Sequence, residues 1–469
     1  MGSREGDSGG LPWTRSLIAR RFTLRPRWRI LVCCVAPFLL SNCGFGFLGE
    51  KQKKVVIEGE RKAIIAKQIK LTPDNSLNEI SIQLPAPKEN ANWPQRGGIA
   101  THALKHVQLG DAPEKVWQSK IGEGGSASIA LTAAPIVANG MVMTLDTAGK
   151  VRAFALKTGE LLWETILKPE ENAGIFGGGL GSGQNKIFIS LGSGELIALN
   201  IQNGEKVWRV STRRALRSAP SYADGRVFVT TLDNMTFAFS ASTGVSLWSH
   251  NGMIADAALL GAASPAIENN TIILAYSSGE LYALQTNNGR IFWGDNLSVK
   301  RGGGGVARIS HLRGNPVIDE NMVFATSHSG RLIALKLKTG RRLWELPISS
   351  RVMPWVAGSY IYIVTTGRQV ICLTKRDGRV KWITNLPEFL LKDSLPLKRE
   401  KTVVEYSEPV LAGDRLIIAS SIGKIYSVSP YTGRILGETQ VDGNIFIEPI
   451  VADKTLLLLD EQGNLTAFR

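Results

Sequence analysis

A repeat of constant internal spacing constrains this chain more than any other feature. In five places a proline is followed 28 residues later by a tryptophan, as in Pro135 to Trp163 and Pro316 to Trp344. Gly437 lies 28 residues after Pro409, so one repeat keeps the spacing but has a glycine in place of the tryptophan. Self-similarity of this kind indicates repeating units, each of which buries its apolar surface against its neighbours.

Each repeat predicts four short strands. Apolar runs of four to seven residues alternate with period two and are bounded by Gly, Asn or Asp. A glycine recurs 24 residues after the start, as at Gly159 and Gly340, where a turn with positive φ would need it. Eighteen residues after the start the residue is always small. Cys372 occupies that place, so we interpret it as a packing residue and not as a reactive thiol.

The two ends of the repeat region complement each other. Seven repeats are complete, and an eighth begins at Pro449 and has room for three strands. Residues 114–118, which include Trp117, resemble the missing last strand. A strand from the N-terminal side that completes the last unit closes a ring and leaves no free sheet edge. We therefore predict an all-β fold, an eight-bladed β-propeller of four-stranded antiparallel blades, over residues 91–469; a linear β-array would not explain the complementary ends.

Seven of the eleven tryptophans share one place in the repeat. The regular spacing predicts that each buries its ring against the neighbouring blade and does not form a ligand box. These residues are Trp117, Trp163, Trp208, Trp248, Trp293, Trp344 and Trp382.

The N-terminal region predicts export. Residues 30–40 are apolar and follow an Arg-rich stretch, but a membrane-spanning helix needs about 20 apolar residues. We therefore predict a signal peptide over residues 1–42. Cys43 follows in a context that resembles a lipobox, so we predict that it is lipidated and that residues 43–90 form a lipid-anchored tether. A soluble periplasmic protein cleaved nearby is the alternative.

Composition and motifs argue against several classes of function. The chain is 43% hydrophobic and 20% charged, which excludes a disordered or collagen-like chain and a polytopic membrane protein. Its net charge of +15 favours acidic partners, but no nucleic-acid-binding motif accompanies it. We find no phosphate-binding loop, no nucleophile elbow and no metal-ligand spacing, and the spacing of the acidic residues does not indicate a pair of carboxylates. We predict no catalytic residue, metal, cofactor or nucleic-acid partner.

The repeats resemble a known superfamily. Residues 155–163 (ALKTGELLW) and 238–248 (AFSASTGVSLW) are similar to the repeats of quinoprotein propellers. One branch comprises quinone-dependent dehydrogenases, which have a vicinal disulfide that the mature chain could not form. The other is the BamB family of outer-membrane assembly lipoproteins, which the lipobox and the closed propeller resemble more closely. A quinone-dependent dehydrogenase and a general lipoprotein adaptor remain alternatives.

The resemblance to the BamB family carries further expectations. It implies a non-catalytic scaffold on the periplasmic face of the outer membrane, with BamA, the rest of the assembly complex and nascent outer-membrane proteins as partners. The family docks BamA through Leu and Arg just before a Ser-Ala-Pro, which Leu216 and Arg217 match. We expect both side chains to be exposed on the face where loop lengths vary. The family also uses acidic residues in the next interblade loop, where this chain offers only Asp256.

Overall fold

The computed structural model describes six stretches of the chain, namely residues 71–126, 129–168, 177–255, 261–298, 311–392 and 400–469. Within them the regular secondary structure consists of strands and one 3-10 turn at Asn75–Leu77. Eight four-stranded antiparallel sheets form, one for each repeat, and the predicted eight-bladed propeller is confirmed. No helix in these stretches is long and apolar enough to cross a membrane. The predicted signal peptide and Cys43 lie outside the described residues.

The first four blades are consecutive in sequence, and each runs from its innermost to its outermost strand. Blades 1 and 2 contain β2 (Ile136–Ala138), β3 (Met141–Leu145), β4 (Lys150–Ala155), β5 (Leu161–Ile166), β6 (Gly178–Gly183), β7 (Lys186–Leu191), β8 (Glu195–Asn200) and β9 (Lys206–Ser211). Blades 3 and 4 contain β10 (Ser221–Ala223), β11 (Arg226–Thr230), β12 (Met235–Ser240), β13 (Ser246–Asn251), β14 (Ala266–Glu268), β15 (Thr271–Ala275), β16 (Glu280–Gln285) and β17 (Ile291–Asn296).

The remaining blades follow the same order, with one inserted hairpin. Blades 5 and 6 contain β18 (Val317–Asp319), β19 (Met322–Ser327), β20 (Arg331–Lys336), β21 (Arg342–Leu346), β22 (Trp355–Ala357), β23 (Tyr360–Val364), β24 (Gln369–Thr374) and β25 (Val380–Asn385). The hairpin and blade 7 contain β26 (Phe389–Lys392), β27 (Glu400–Val403), β28 (Val410–Ala412), β29 (Arg415–Ala419), β30 (Lys424–Val428) and β31 (Ile435–Gln440). Blade 8 contains β32 (Ile450–Ala452), β33 (Thr455–Leu459), β34 (Asn464–Phe468) and β1 (Lys115–Lys120).

Blade 8 joins the two ends of the repeat region. Its outermost strand, β1, pairs antiparallel with β34, and Trp117 lies opposite Ala467. Reciprocal backbone hydrogen bonds of 3.0 and 2.9 Å between Glu114 and Arg469 extend the pairing. The edge of the last blade is therefore covered by a strand that precedes the first blade, which closes the ring as the sequence predicts.

The repeated small residue and the repeated tryptophan lie opposite each other. In each blade with a tryptophan, the small residue on the third strand is the register partner of the tryptophan on the fourth, as Ala283 is of Trp293. Cys372 is the partner of Trp382 and is fully buried. Burial raises the pKa of the Cys372 thiol far above its usual range, in agreement with a packing role.

Each of the seven indoles bridges two blades. Its Nε1 donates to a backbone carbonyl of the next blade at 2.7 to 3.1 Å, as Trp293 does to Leu337 at 2.7 Å. Its ring lies on the turn glycine of that blade; a Cβ at Gly340 would come within 2.6 Å of the Trp293 ring. Between blades 7 and 8 this clasp is missing, because Gly437 occupies the tryptophan place.

The segment before β1 crosses one end of the central channel. Residues 90–107 form hydrogen bonds with the inner part of every blade, and we call this segment the plug. The bonds from blades 1 to 4 are Val137 N to Trp93 O (2.9 Å), Ser182 N to Pro94 O (2.8 Å), Tyr222 N to Gln95 Oε1 (2.7 Å) and Ile267 N to Ala100 O (2.7 Å). Those with blades 5 to 8 are Ile318 N to Thr101 O (2.9 Å), Trp355 Nε1 to Lys105 O (2.6 Å), Val107 N to Leu411 O (3.1 Å) and Asp453 N to Asn90 O (2.7 Å).

Candidate functional site: the central channel

The channel forms a cavity of about 350 Å³, and Arg96 of the plug contributes to its lining. Its lining follows the repeat, because equivalent residues of different blades meet around one axis. The residue three places before each blade proline contributes to an outer ring, which contains Thr132, Arg217, Ala262, Arg313, Arg351, Tyr406 and Phe446. The residue directly before the proline contributes to an inner ring, from which Asn315, Glu408 and Glu448 line the cavity.

The two sides of this channel differ in chemistry. Blades 3, 5 and 6 contribute arginines, whereas blades 7 and 8 each contribute an aromatic residue and more than one acidic residue. Arg96 enters from the plug and forms an ion pair of 3.0 Å with Glu448. Arg351 forms an ion pair of 3.0 Å with Glu405 at the outer level. Several charges of the channel are thus already compensated within the protein.

Glu408 and Glu448 line the same cavity, a pairing of carboxylates that their spacing in the sequence did not indicate. Both are buried, with 5% and 6% of their surface exposed. The backbone N–H of Met353 donates to Glu408 Oε2 at 3.0 Å. Desolvation, with the neighbouring Glu448 charge, raises the pKa of Glu408 to about 7, although Arg96 and Arg313 act in the opposite direction.

The Oε1 atoms of Glu408 and Glu448 have no hydrogen-bond partner in the structure. A buried acceptor without a partner is unusual in a folded protein and requires an explanation. The sequence contained a signal that could have located this pair. Both residues form Glu-Pro dipeptides at the same repeat position, and a closed ring brings equivalent positions of adjacent blades together.

The plug also contains a buried histidine close to the channel. His102 Nδ1 lies 2.7 Å from the carbonyl oxygen of Pro316. Burial lowers the pKa of His102 to about 4, and the nearby Arg96 charge acts in the same direction. His102 is therefore neutral at physiological pH. Across the described stretches, no group of three or more His, Cys, Asp or Glu side chains is arranged to hold a metal ion.

The structure places Leu216 and Arg217, the two residues expected to bind a partner, in different environments. Leu216 is fully buried in the core between blades 2 and 3, so the expectation of an exposed leucine was wrong. The period-two pattern explains this, since Leu216 bridges to Thr231 of the same blade and points inward. Arg217 is half-buried at the channel mouth, where its Nη1 lies 2.8 Å from where a Cβ of Gly177 would be. Asp256 lies outside the described residues.

Fold and site together define a class, the quinoprotein-like eight-bladed β-propeller. The crystal structure of BamB from Moraxella catarrhalis superposes with a TM-score of 0.64 at 18% identity, covering 76% of this chain and all of that one. A quinohemoprotein alcohol dehydrogenase from Comamonas testosteroni superposes with a TM-score of 0.61 at 11% identity, covering 81% and 80%. At these identities the similarity shows the fold alone.

Sequence comparison separates the two branches. The model of the family described as outer membrane protein assembly factor BamB matches residues 111–175 and 147–384. The BamB of Shewanella oneidensis is 28% identical over 372 residues, which cover 77% of this chain and 90% of that protein. The BamB of Yersinia pestis is 26% identical over 378 residues, covering 79% and 92%. The chain belongs to the BamB family of outer membrane protein assembly factors.

Proposed function

We propose that this protein is a non-catalytic scaffold that binds BamA and supports the insertion of outer-membrane proteins. The observation that carries the proposal is its membership of the BamB family over most of the propeller. A closed ring suits such a role, because it holds loops from eight blades in constant relative positions. The assembly complex and nascent outer-membrane proteins are the further partners of this proposal.

The proposed contact with BamA is made by the channel mouth, with Arg217 as its central side chain. Arg217 belongs to the outer ring, on the face where the interblade connections enter the innermost strands. Partial burial lowers the pKa of Arg217, since its charged form is desolvated. An arginine that is already partly desolvated loses less hydration when a partner covers it, and arginine is frequent among the residues that dominate binding energy. Buried Leu216 would hold the backbone at this point and would not touch the partner.

We expect Arg217→Glu to reduce the recovery of BamA at least tenfold in a pull-down from detergent-solubilised outer membranes. The charge reversal would place a carboxylate where the partner meets a guanidinium, which costs several kcal/mol at a buried contact. Arg213→Glu is the matched control, because Arg213 is exposed on the same connection and undergoes the same change of charge. Its recovery of BamA should equal that of the wild type.

The three outcomes of this pull-down have distinct meanings. If Arg217→Glu fails to recover BamA and Arg213→Glu still recovers it, both the scaffold function and the contact through Arg217 are supported. Retention by both variants leaves the scaffold function standing and refutes the contact through Arg217. If the wild-type protein does not recover BamA, the proposed function itself is refuted. Circular dichroism of each variant checks that the ring still folds.

We also propose that residues 43–90 tether the protein to the periplasmic face of the outer membrane through acyl chains on Cys43. Several acyl chains hold a protein firmly, since each buried methylene contributes about 0.8 kcal/mol. We expect Cys43→Ser to move the protein from the membrane fraction to the soluble periplasmic fraction. Intact-mass measurement of the wild type should show the added mass of the lipid, and an unmodified mature chain would refute the anchor.

A further inference from the structure

The side of the channel formed by blades 7 and 8 combines three features. Two buried carboxylate oxygens, Glu408 Oε1 and Glu448 Oε1, lack hydrogen-bond partners. Two aromatic side chains, Tyr406 and Phe446, line the same cavity two residues before these glutamates. The neighbouring lining includes the apolar side chains of Leu131, Ile445, Ile447 and Leu459. On this side of the channel the two unsatisfied carboxylate oxygens are acceptors, and they lie beside aromatic and aliphatic surface.

Each arginine of the cavity has an interaction within the protein. Arg96 and Arg351 form ion pairs of 3.0 Å with Glu448 and Glu405. Arg217 and Arg313 also have interactions within the protein. The charged side chains that line the cavity are four arginines and five acids, Glu405, Glu408, Glu448, Asp460 and Glu461. A ligand that supplies N–H donors and one positive charge suits this lining better than an anion does.

We propose that the channel binds an alkylammonium group, with the ammonium between Glu408 and Glu448 and the alkyl chain directed toward Tyr406 and Phe446. An ammonium has three donors and can satisfy both orphan oxygens at once. Aromatic faces attract such cations, and the attraction is stronger where the cation is desolvated. The Tyr406 hydroxyl donates to the carbonyl oxygen of Pro387 at 2.8 Å, which holds its ring at the cavity wall. Phe446 is 48% exposed, so its ring is accessible from the channel mouth.

A bare metal ion fits the same residues less well. Hard divalent cations take six or more oxygen ligands, or keep several waters, and usually gather several carboxylates. The described residues contain no group of three or more candidate ligands, and the positive charges of Arg96 and Arg313 already act on Glu408. The cavity of about 350 Å³ also exceeds what a single ion needs and accommodates an aliphatic chain.

The proposal predicts a pH dependence with a definite sign. The groups that act on Glu408 are Glu448, Arg96 and Arg313, and the pKa of Glu408 is raised to about 7. His102, beside Arg96, stays neutral above pH 5 because its pKa is about 4. An alkylammonium keeps its proton across this range, so the change in the charge of Glu408 sets the sign of the effect. Protonation of Glu408 opposes binding, and affinity should fall about tenfold from pH 8 to pH 6.

The test is isothermal titration calorimetry on the detergent-purified full-length protein, in phosphate buffer because Tris is itself a primary amine. Two probes separate the sources of the group: n-pentylamine represents a free amine, and Nα-acetyl-lysine methylamide represents a lysine side chain of a protein partner. If both probes bind, the site accepts lysine side chains as well as free amines. Binding of pentylamine alone assigns it to free amines.

Three variants make the test specific. Glu408→Gln keeps the shape of the side chain and an acceptor for Met353 N–H, and it should weaken binding at least tenfold. Phe446→Ala removes an exposed ring without disturbing the core and should weaken binding about threefold. Glu438→Gln is the control, since it removes one negative charge from the exposed surface of blade 7, outside the residues that line the cavity, and its affinity should stay within twofold of the wild type.

Several results would overturn the proposal. The wild type could bind neither amine, or Glu408→Gln could bind as tightly as the wild type. Equal losses in Glu408→Gln and Glu438→Gln would show that the effect is general electrostatics and not binding at the pair. Saturable binding of Ca²⁺ without binding of either amine would assign the oxygens to a metal. The test is independent of BamA, so its failure leaves the scaffold function untouched.

Discussion

Replacing Trp293 by alanine should lower the free energy of unfolding by about 3–5 kcal/mol, the cost typical of removing a large aromatic side chain from a core. Trp293 is only 9% exposed and packs between blades 4 and 5. Its loss also leaves the Leu337 carbonyl without the indole donor at 2.7 Å. For a cooperative unit of about 400 residues, this change corresponds to a fall in Tm of about 4–6 °C.

The neighbouring residue provides the control for this prediction. Phe292 precedes Trp293 on the same strand but is 50% exposed, so Phe292→Ala should cost less than about 1 kcal/mol. Both variants are compared with the wild type by urea denaturation followed by tryptophan fluorescence and circular dichroism. Equal costs for the two variants would contradict the role of the repeated tryptophans as clasps between blades.

Removing the Lys375 ammonium should destabilise the fold by a similar amount, and Lys375→Ala should lower the free energy of unfolding by about 3–5 kcal/mol. Lys375 Nζ lies 2.7 Å from Asp319 Oδ2 and 2.8 Å from Glu320 Oε2, and it joins blade 6 to blade 5. The side chains of Lys375 and Asp319 are 10% and 5% exposed. Desolvation opposes the charge of Lys375, but its hydrogen bonds to both carboxylates raise its pKa above the usual value. Without Lys375, the cation that remains beside the buried Asp319 among the described residues is Lys105, at 3.6 Å.

A surface pair of the same geometry serves as the control. Lys424 and Glu438 are also 2.8 Å apart, but their side chains are 36% and 40% exposed. Lys424→Ala should therefore cost less than about 1 kcal/mol. The double variant Lys375→Met with Asp319→Asn, which removes both buried charges, should recover most of the lost stability. Should Lys375→Ala cost no more than Lys424→Ala, the buried pair does not contribute as described.

The effect of Lys375 has a direction with pH that the same denaturation series can measure. Hydrogen bonding to Lys375 and its charge lower the pKa of Glu320 below its ordinary 4.5. A group whose pKa is lowered on folding contributes stability above its unfolded pKa and loses it as pH falls through the folded value. The difference between wild type and Lys375→Ala should therefore be constant near neutral pH and shrink below about pH 4.

The repeat positions with one physical role were predictable from the sequence. The tryptophan, the small residue and the turn glycine recur because each blade packs against its neighbour in the same way. Trp293, Ala283 and Gly340 show how the three positions depend on one another: the indole lies opposite the alanine within its own blade and on the glycine of the next. Ring closure was predictable for the same reason, since a fourth strand was missing at one end and present at the other.

The channel was harder to predict because its residues do not repeat. Residues that line the axis do not pack between blades, so one repeat position can hold different residue types. Asn315, Glu408 and Glu448 occupy the same position in three different repeats. The two Glu-Pro dipeptides mark the position in the sequence, but their burial and their neighbours across the axis become visible only in the closed ring. The plug was missed for a related reason, since its hydrogen bonds are spread over eight different blades and it has no periodicity of its own.

By itself, the sequence determined the all-β class, the number of blades, the closing strand and the places of the seven clasping tryptophans, because all of these follow from local spacing repeated along the chain. The tertiary structure alone decided that Leu216 is buried, that Arg217 stands at the channel mouth and that Glu408 and Glu448 share a desolvated cavity. Burial and charge at these positions are set by residues hundreds of positions away, such as Arg96 beside Glu448. Only closure of the ring brings those residues within interaction distance.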